Sequence, residues 1–504
     1  MFILPLVALT AYGQSNGNGN ARGVGKGLDK QVERQVARGV EKNVEKQVGR
    51  NAEKQVDRNV SQQVASKVSK KADTSVSKTV NANASSRATE KANNSAKNNM
   101  EKTLPDAAIA NSNRDKTKTN KGQEKKAEKA VPHQEDSTAA AEFVDFAVDD
   151  DGSRYLRNQR VLLVSPEKLQ ELQRNGVTFR KTTQLSSMKK ILVELDAENA
   201  EVASGISRKY RKAVALNYVY SYQDGGPATA SPQGWLPNEA LPLNVPPDQQ
   251  RKLRIGMVDS TVNTQHSSLR RASITSESFV AEGLATPQTH GTAVASVLSG
   301  DDAMFIGLLP DASLYSAGVF YSSPEGSDTA SLTSIVLALD WLVAQQVDVI
   351  NMSLAGPGSM LLEDFVNAAS ARGIAVVAAA GNGGPGAKPA YPAAYPSVVA
   401  VTAVDENNRV YYRASHGDYI DFAAPGVNIA SAASNGGYRN VSGTSYAAPF
   451  VSAVVAGGLS KLQPKALLKE LRKHAQDLGE PKRDLVYGYG KVRPINEDRL
   501  VYSE

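Results

Sequence analysis

Two residues in the C-terminal half of this 504-residue chain have side chains suited to acyl transfer. Ser445 follows a Gly-Thr turn that leads into an apolar helix, so its hydroxyl is expected at a helix N-terminus. The free N–H groups and the dipole there favour the oxyanion that forms when an alkoxide attacks a carbonyl. His290, in a Thr-His-Gly-Thr segment, is the side-chain type best suited to proton transfer near neutral pH.

Asp259 and Asn382 each follow an apolar run that reads as a strand. Ligands of open α/β sheets bind at the carboxyl ends of the strands, so the Asp259 carboxylate is expected to point toward a site. The side-chain amide of Asn382 could donate a hydrogen bond to a developing oxyanion. Taken singly, these residues also have ordinary structural interpretations as a turn, a helix cap or a packed histidine, and the other four histidines receive that interpretation.

The elements that would position these side chains alternate between strands and helices over residues 251–495. The predicted strands are Arg254–Asp259, Val347–Met352, Ile374–Ala378 and Val398–Val401, and the predicted helices include Ser331–Gln345 and Leu361–Arg372. Continuous apolar strands between amphipathic helices predict an α/β fold, a mostly parallel sheet with helices on both faces.

In combination, the four segments resemble the motifs of the subtilisin-like serine protease family (subtilases, peptidase family S8), whose members carry an N-terminal propeptide. The order Asp, His, Asn, Ser, with intervals of 31, 92 and 63 residues, is similar to that family. Ser442–Pro449, the His-Gly-Thr triplet and the Ala-Gly-Asn segment match its motifs residue by residue. The resemblance covers about residues 251–495 and includes Tyr487–Val492, which is similar to the end of the family's domain.

The resemblance implies a serine endopeptidase whose catalytic residues are Asp259, His290 and Ser445. It implies that Asn382 forms the oxyanion hole together with the backbone N–H of Ser445. It also implies a backbone edge that binds an extended peptide, formed by Ser353, Leu354, Ala355 and Gly356. No cofactor and no catalytic metal are expected. Calcium sites are common in the family, but their ligands cannot be placed from this sequence.

Two positions depart from the family pattern. Thr261 stands where the family usually has glycine two residues after the aspartate, and threonine does not adopt a positive φ cheaply, so the local turn is expected to differ. Ala293 replaces a second histidine that often follows the His-Gly-Thr triplet, with little expected consequence. Neither change removes a catalytic group.

Residues 151–222 read as a small α+β domain that, by its position, resembles a protease propeptide. Ser165 and Pro166 are typical of a helix start. The predicted strands are Arg160–Val164, Val177–Phe179, Lys190–Leu195 and Ala213–Tyr220, and a further helix is predicted over Ala200–Tyr210. Residues 223–250, rich in Pro, Gly and Gln, are expected to form an exposed linker, and self-cleavage is expected within 222–253.

Residues 1–150 have a different composition. Residues 1–13 are apolar and end in small residues like a signal peptide, although the positive n-region is missing. Residues 14–150 form a low-complexity basic tail, with 25 Lys/Arg against 13 Asp/Glu between 20 and 131 and an apolar residue at every fourth position from Val24 to Leu104. One small apolar residue in four makes a poor core, so a disordered or partly helical tail is predicted, with a right-handed supercoil as the alternative.

Composition narrows the function classes. The chain has no cysteine, which excludes disulfides, thiolate metal sites and a cysteine nucleophile. No stretch approaches the ~18 apolar residues of a membrane span. Together with the signal-like residues 1–13, this composition favours a secreted, periplasmic or cell-envelope protein. The family resemblance implies protein or peptide substrates as partners and the chain's own propeptide as an intramolecular inhibitor, and no nucleic acid is expected.

Two other functions remain open from the sequence. One is a catalytically silent surface protein whose basic tail binds anionic envelope polymers. The other is an esterase or acyltransferase that uses the same three catalytic residues. An intact Asp, His, Asn and Ser set argues against the first, and the backbone edge at 353–356 favours peptides over small esters.

Overall fold

The computed structural model describes residues 145–206, 213–222, 228–323, 326–459 and 462–495. The predicted signal peptide and nearly all of the predicted basic tail lie outside these residues. Within the described part of the chain, no helix combines the length and apolar character needed to cross a bilayer.

The N-terminal domain is an antiparallel sheet with two helices on one side. Its strand order is β5-β2-β4-β3, with β1 paired to β2. The elements are β1 (Phe146–Val148), β2 (Arg154–Val164), α1 (Pro166–Arg174), β3 (Lys181–Leu185), β4 (Lys190–Leu195), α2 (Ala197–Ile206) and β5 (Ala215–Tyr220). Leu162, Leu172 and Val193 pack together in its core. Ser165 caps α1 by accepting the N–H of Lys168, as its type and position predicted.

Two predictions in this domain need correction. The strand predicted at Val177–Phe179 is wrong: these residues are irregular, and the backbone N–H of Thr178 donates to the side chain of Asn199. Three residues of alternating polarity carry too little signal to distinguish a strand from a loop. The helix predicted over Ala200–Tyr210 begins earlier, at Ala197, and residues 207–212 lie outside the described part.

The segment predicted to be an exposed linker is partly packed into the protein. Beyond residue 227 it forms β6 (Ala228–Thr229), α3 (Pro237–Ala240) and α4 (Pro247–Gln250). Ala240 and Leu241 are buried in the core of the larger domain, and Trp235 pairs with Ile429. The abundance of proline indicated turns, but it did not reveal which apolar residues between them would be covered.

The larger domain is built on a parallel sheet with the order β15-β14-β13-β12-β7-β9-β8. Its strands are β7 (Arg254–Asp259), β8 (Ser273–Ser278), β9 (Ser313–Gly318), β12 (Val349–Met352), β13 (Ala375–Ala379), β14 (Val398–Val404) and β15 (Phe422–Pro425). Two short hairpins accompany it, β10 (Phe320–Ser322) with β11 (Asp328–Ser331), and β16 (Ile429–Ala432) with β17 (Tyr438–Val441).

Helices cover both faces of this sheet, so the predicted fold class is confirmed. The helices are α5 (Thr289–Ser299), α6 (Leu332–Ala344), α7 (Met360–Ala371), α8 (Thr444–Leu459) and α9 (Pro464–His474). Neighbouring residues of one strand face opposite cores: Val349 packs with the α5 and α8 side, whereas Ile350 packs with the α6 and α7 side. Strands buried on both faces explain the continuous apolar runs in the sequence.

The N-terminal domain docks against α6 and the β10–β11 hairpin. Strand β5 adds to β11, with Tyr220 opposite Ala330. The side-chain oxygen of Asn217 accepts the backbone N–H of Thr333 at the start of α6. On the same helix, the Asp340 carboxylate accepts the backbone N–H groups of Ser186 and Ser187. These hydrogen bonds align the end of β5 with the carboxyl edge of the parallel sheet.

Candidate active site

Asp259 and His290 form a hydrogen-bonded pair that is sealed from solvent. Asp259 is the last residue of β7, and His290 is the second residue of α5. The imidazole Nδ1 lies 2.7 Å from Asp259 Oδ1, and neither side chain has any exposed surface. The same carboxylate oxygen accepts the backbone N–H of Ser260 at 2.7 Å. An acceptor at Nδ1 sets the neutral tautomer with its proton on Nδ1, which leaves Nε2 as the proton acceptor.

The residues after His290 make this approach possible. A Cβ on Gly291 would lie 2.2 Å from the carbonyl oxygen of Ser260, so only glycine allows α5 to meet the loop after β7. The N–H of Gly291 donates to Ser260 Oγ at 2.8 Å. Thr292 Oγ1 accepts the N–H of Asn263 at 2.9 Å. In the His-Gly-Thr triplet, His290 thus supplies the imidazole, and Gly291 and Thr292 hold the loop after β7 in place.

Thr261, which departs from the family pattern, is accommodated without backbone strain. It does not adopt a positive φ, and its hydroxyl donates to the carbonyl of Pro287 at 2.8 Å. Its methyl group faces Gly318, where a Cβ would lie only 2.6 Å away. Glycine at 318 therefore leaves the space that the Thr261 side chain needs, in place of a glycine at 261 itself. Ala293 is buried in α5.

Ser445 is the second residue of α8 and is almost fully buried. Pro449, four residues later, has no N–H to donate to the Ser445 carbonyl, so the usual helical hydrogen bond is missing. The hydroxyl of Ser353 donates to that carbonyl instead, at 2.6 Å. This hydrogen bond directly joins Ser353 of the predicted substrate edge to Ser445, the predicted nucleophile.

Asn382 lies in the loop after β13 and is oriented by the loop before α8. Its side-chain oxygen accepts the backbone N–H of Thr444 at 3.0 Å and the Thr444 hydroxyl at 3.2 Å. The amide nitrogen is therefore the end of the side chain that remains for other contacts. Asn382 and Ser445 line one cleft of about 690 Å³, together with Ala379 and Gly381.

The predicted substrate edge is already paired with a strand of the same chain. Ser221, just after β5, exchanges two backbone hydrogen bonds with Ala355, each 3.0 Å long. Tyr220 is buried against Gly356, where a Cβ would lie 2.3 Å from its ring, and its hydroxyl donates to the Pro357 carbonyl. Leu354 is buried in the core beneath this edge.

Tyr222 continues this strand onto the imidazole. Its ring stacks on His290 with 4.0 Å between centroids and 19° between planes. On another side, the ring of Tyr446 lies 5.1 Å from the imidazole. His290 Nε2 is buried and has no hydrogen-bond partner among the described residues, so no hydrogen bond joins it to Ser445 in this arrangement. The catalytic roles of Ser445, Asn382 and Ser353–Gly356 therefore stay predictions.

Sequence reasoning did not single out Tyr220, Tyr222 or their neighbours. A usable signal existed, because tyrosines at 218, 220 and 222 alternate along a strand that ends next to a Gly-Pro-rich segment. As for metals, the described residues contain no cluster of three or more His, Asp or Glu side chains that could hold an ion.

Comparison with known proteins identifies the family. The model of the subtilase family matches residues 250–490. The chain is 35% identical over 251 residues to minor extracellular protease Epr from Bacillus subtilis, covering 48% of this chain and 38% of Epr. It is 35% identical over 253 residues to subtilisin DY from Bacillus licheniformis, covering 88% of that protein. The chain therefore belongs to the subtilase family of serine-type endopeptidases, as its motifs predicted.

A solved structure extends the likeness in fold. Fervidolysin from Fervidobacterium pennivorans, described as a keratinolytic enzyme related to subtilisin, matches with a TM-score of 0.56 at 20% identity. The match covers 69% of this chain and 61% of fervidolysin, whereas the sequence relatives cover 48% of this chain. The shared fold therefore extends beyond the part matched by the family model.

We expect Ser353→Ala to lower the free energy of unfolding by about 1–3 kcal/mol, because the buried Ser445 carbonyl loses its donor and the Asn351 amide loses its acceptor. Urea unfolding of full-length chains that also carry Ser445→Ala, which removes the predicted nucleophile and so prevents self-cleavage, measures this change. The matched control is Ser299→Ala, since the Ser299 hydroxyl is also buried but has no hydrogen-bond partner among the described residues. Equal losses in the two variants would contradict the assigned hydrogen bond.

Proposed function

We propose that this protein is a serine endopeptidase that cleaves peptide bonds with Asp259, His290 and Ser445. The observation that carries the proposal is the buried His290–Asp259 pair lying beside a peptide strand bound to the 353–356 edge. A base with a free Nε2, a serine at a helix start and a bound extended chain are the components that peptide hydrolysis needs.

In the proposed reaction, the Ser445 hydroxyl attacks the carbonyl carbon of the scissile bond while His290 Nε2 takes its proton. Asp259 keeps the ring in the required tautomer and stabilises the imidazolium. The amide nitrogen of Asn382 and the Ser445 backbone N–H receive the developing oxyanion. His290 then donates the proton to the leaving amine, and water hydrolyses the acyl-enzyme by the same steps. In subtilisin itself, loss of one oxyanion donor costs about 10²–10³ in turnover.

Peptides rather than small esters are the proposed substrates. The two backbone hydrogen bonds at Ala355 recognise an extended chain without regard to its sequence. Backbone pairing supplies affinity along the strand, which a small ester cannot use. Export to the cell envelope or the medium is part of the proposal: the chain lacks cysteine and begins with an apolar run, and the relative Epr is named an extracellular protease.

We propose further that residues 151–222 are a propeptide that blocks the cleft before maturation. Tyr222 lies against His290. Ala228 of β6 pairs with Arg439 of β17, and β17 ends only four residues before Ser445. The described residues at both ends of the interval 222–228 thus pack beside the segments that carry His290 and Ser445. Self-cleavage is expected there, which narrows the interval predicted from the sequence.

We expect purified wild-type chain to cleave itself between residues 222 and 228, and Ser445→Ala to stay full length. Intact mass and N-terminal sequencing of the product measure the cut. Ser299→Ala is the control, because it removes a buried serine hydroxyl from α5 and should process at the wild-type rate. Processing of purified Ser445→Ala at that rate would contradict self-cleavage.

We expect the processed protein to degrade an unstructured protein substrate and to lose this activity with a serine-directed phosphonate, because the reagent phosphonylates the Ser445 hydroxyl and blocks it. Release of new amino termini measures the activity. Hydrolysis of a small ester without cleavage of the protein would favour the esterase alternative. Absence of both reactions, with retention on anionic surfaces that depends on residues 14–150, would favour the silent surface protein.

The bound strand should also respond to alkaline pH. Burial, together with the hydrogen bond to Asp149, raises the pKa of Tyr218 to about 12, and complete burial raises the pKa of Tyr220 well above 10. The stability that these neutral phenols contribute is fully present below pH 10, where the unfolded tyrosines are still protonated. Above pH 10 it is lost, because only the unfolded forms ionise, by up to about 1.4 kcal/mol per pH unit and group.

Unfolding of Ser445→Ala by urea at pH 8 to 12 measures this dependence without processing. Between pH 10 and 12, Ser445→Ala should lose more stability than Ser445→Ala/Tyr220→Phe, because the double variant lacks one of the ionising groups. If the free energy of unfolding fell equally steeply with pH in the two proteins, this result would contradict the burial of Tyr220 against Gly356.

A further inference from the structure

The position next to His290, which Tyr222 occupies, is bordered by the carboxylate of Asp328, a group that the catalytic proposal does not use. The Tyr222 hydroxyl donates to one carboxylate oxygen of Asp328. The other oxygen of Asp328 accepts the Ser322 hydroxyl at 2.8 Å. Asp328 and Ser322 face each other across the β10–β11 hairpin, so the carboxylate is held by its own strand partner.

The remaining walls of this position select a flat ring. The Tyr222 ring stacks on His290 with one face. It packs edge-on with the Phe320 ring, with 4.5 Å between the centroids and 67° between the ring planes. Phe320 is completely buried and cannot swing away without opening the core. Stacked and edge-on ring pairs are favourable geometries for aromatic side chains. An aliphatic side chain in this position would lose both ring contacts.

The Asp328 carboxylate favours a hydrogen-bond donor at the end of the ring. A carboxylate only accepts hydrogen bonds, so it favours a hydroxyl and leaves a phenylalanine ring without a partner for it. Hydrogen bonds to ionised groups are stronger than those between neutral groups. Asp328 is partly exposed, so water can replace part of the lost bond, and the preference is expected to be moderate.

We propose that Asp328 is a specificity-determining residue that selects tyrosine at the substrate position lying against His290. Tyr222 of the bound N-terminal domain occupies that position in the unprocessed chain. The inference rests on the proposed peptidase function and adds the class of substrate: extended peptides whose side chain at this position is a phenol.

The test compares two peptides with the sequence of residues 218–228, one with tyrosine and one with phenylalanine at the position of 222. The processed wild-type protein should cleave the tyrosine peptide with a kcat/KM about tenfold higher. Asp328→Ala should bring the ratio close to one by slowing the tyrosine peptide alone. Ser327→Ala, a change in the same hairpin whose side chain bonds Ser323, should keep the tenfold ratio. Equal cleavage by the wild type, or a tenfold ratio in Asp328→Ala, would overturn the proposal.

A second measurement does not depend on catalysis. In full-length Ser445→Ala, the variants Tyr222→Phe and Asp328→Ala should be non-additive in urea unfolding, because each removes the same hydrogen bond. Additive losses would overturn the contact. If the processed protein cleaves neither peptide and no unstructured protein, the peptidase function fails. The comparison of Tyr222→Phe, Asp328→Ala and the double variant in urea unfolding then decides alone whether Asp328 recognises the phenol.

Discussion

The buried hydrogen bond between His290 and Asp259 is the constraint on which the rest of the site depends. A carboxylate without exposed surface is costly unless polar partners compensate it, and Asp259 has the imidazole and the Ser260 N–H. One partner ends a strand and the other begins a helix, so β7 and α5 must approach until their backbones touch. The missing side chain of Gly291 permits this contact. A purely local feature therefore determines whether the two distant segments can meet.

A second link joins the predicted nucleophile to the edge that holds a peptide. Pro449 deprives the Ser445 carbonyl of its helical donor, and the Ser353 hydroxyl replaces it. Ser353 is also only two residues from Ala355, which pairs with the bound strand. One buried hydrogen bond therefore couples the position of the predicted nucleophile to the edge that pairs with the strand.

The N-terminal domain occupies the edge that is proposed to bind substrate. Strand β5 lies between β11 and β2, and its extension pairs Ser221 with Ala355 and places Tyr222 on the imidazole. The interactions that dock the domain on α6, through Asn217 and Asp340, lie away from the catalytic pair. The proposed propeptide role would use this remote surface, because its affinity can hold the domain in place after the proposed cleavage.

Much of this protein followed from its sequence because its motifs encode local physical needs. Glycine after His290, proline after Ser445 and continuous apolar strands each have one main structural explanation, so the sequence determined the family, the fold class and the identity of the predicted catalytic residues. Short or weakly patterned segments failed, as at Val177–Phe179. The tertiary structure alone decided that Tyr222 covers His290 and that Asp328 accepts its hydroxyl, because that contact joins residues 106 positions apart on a turn-rich segment and a short hairpin whose relative placement depends on the docking of a whole domain.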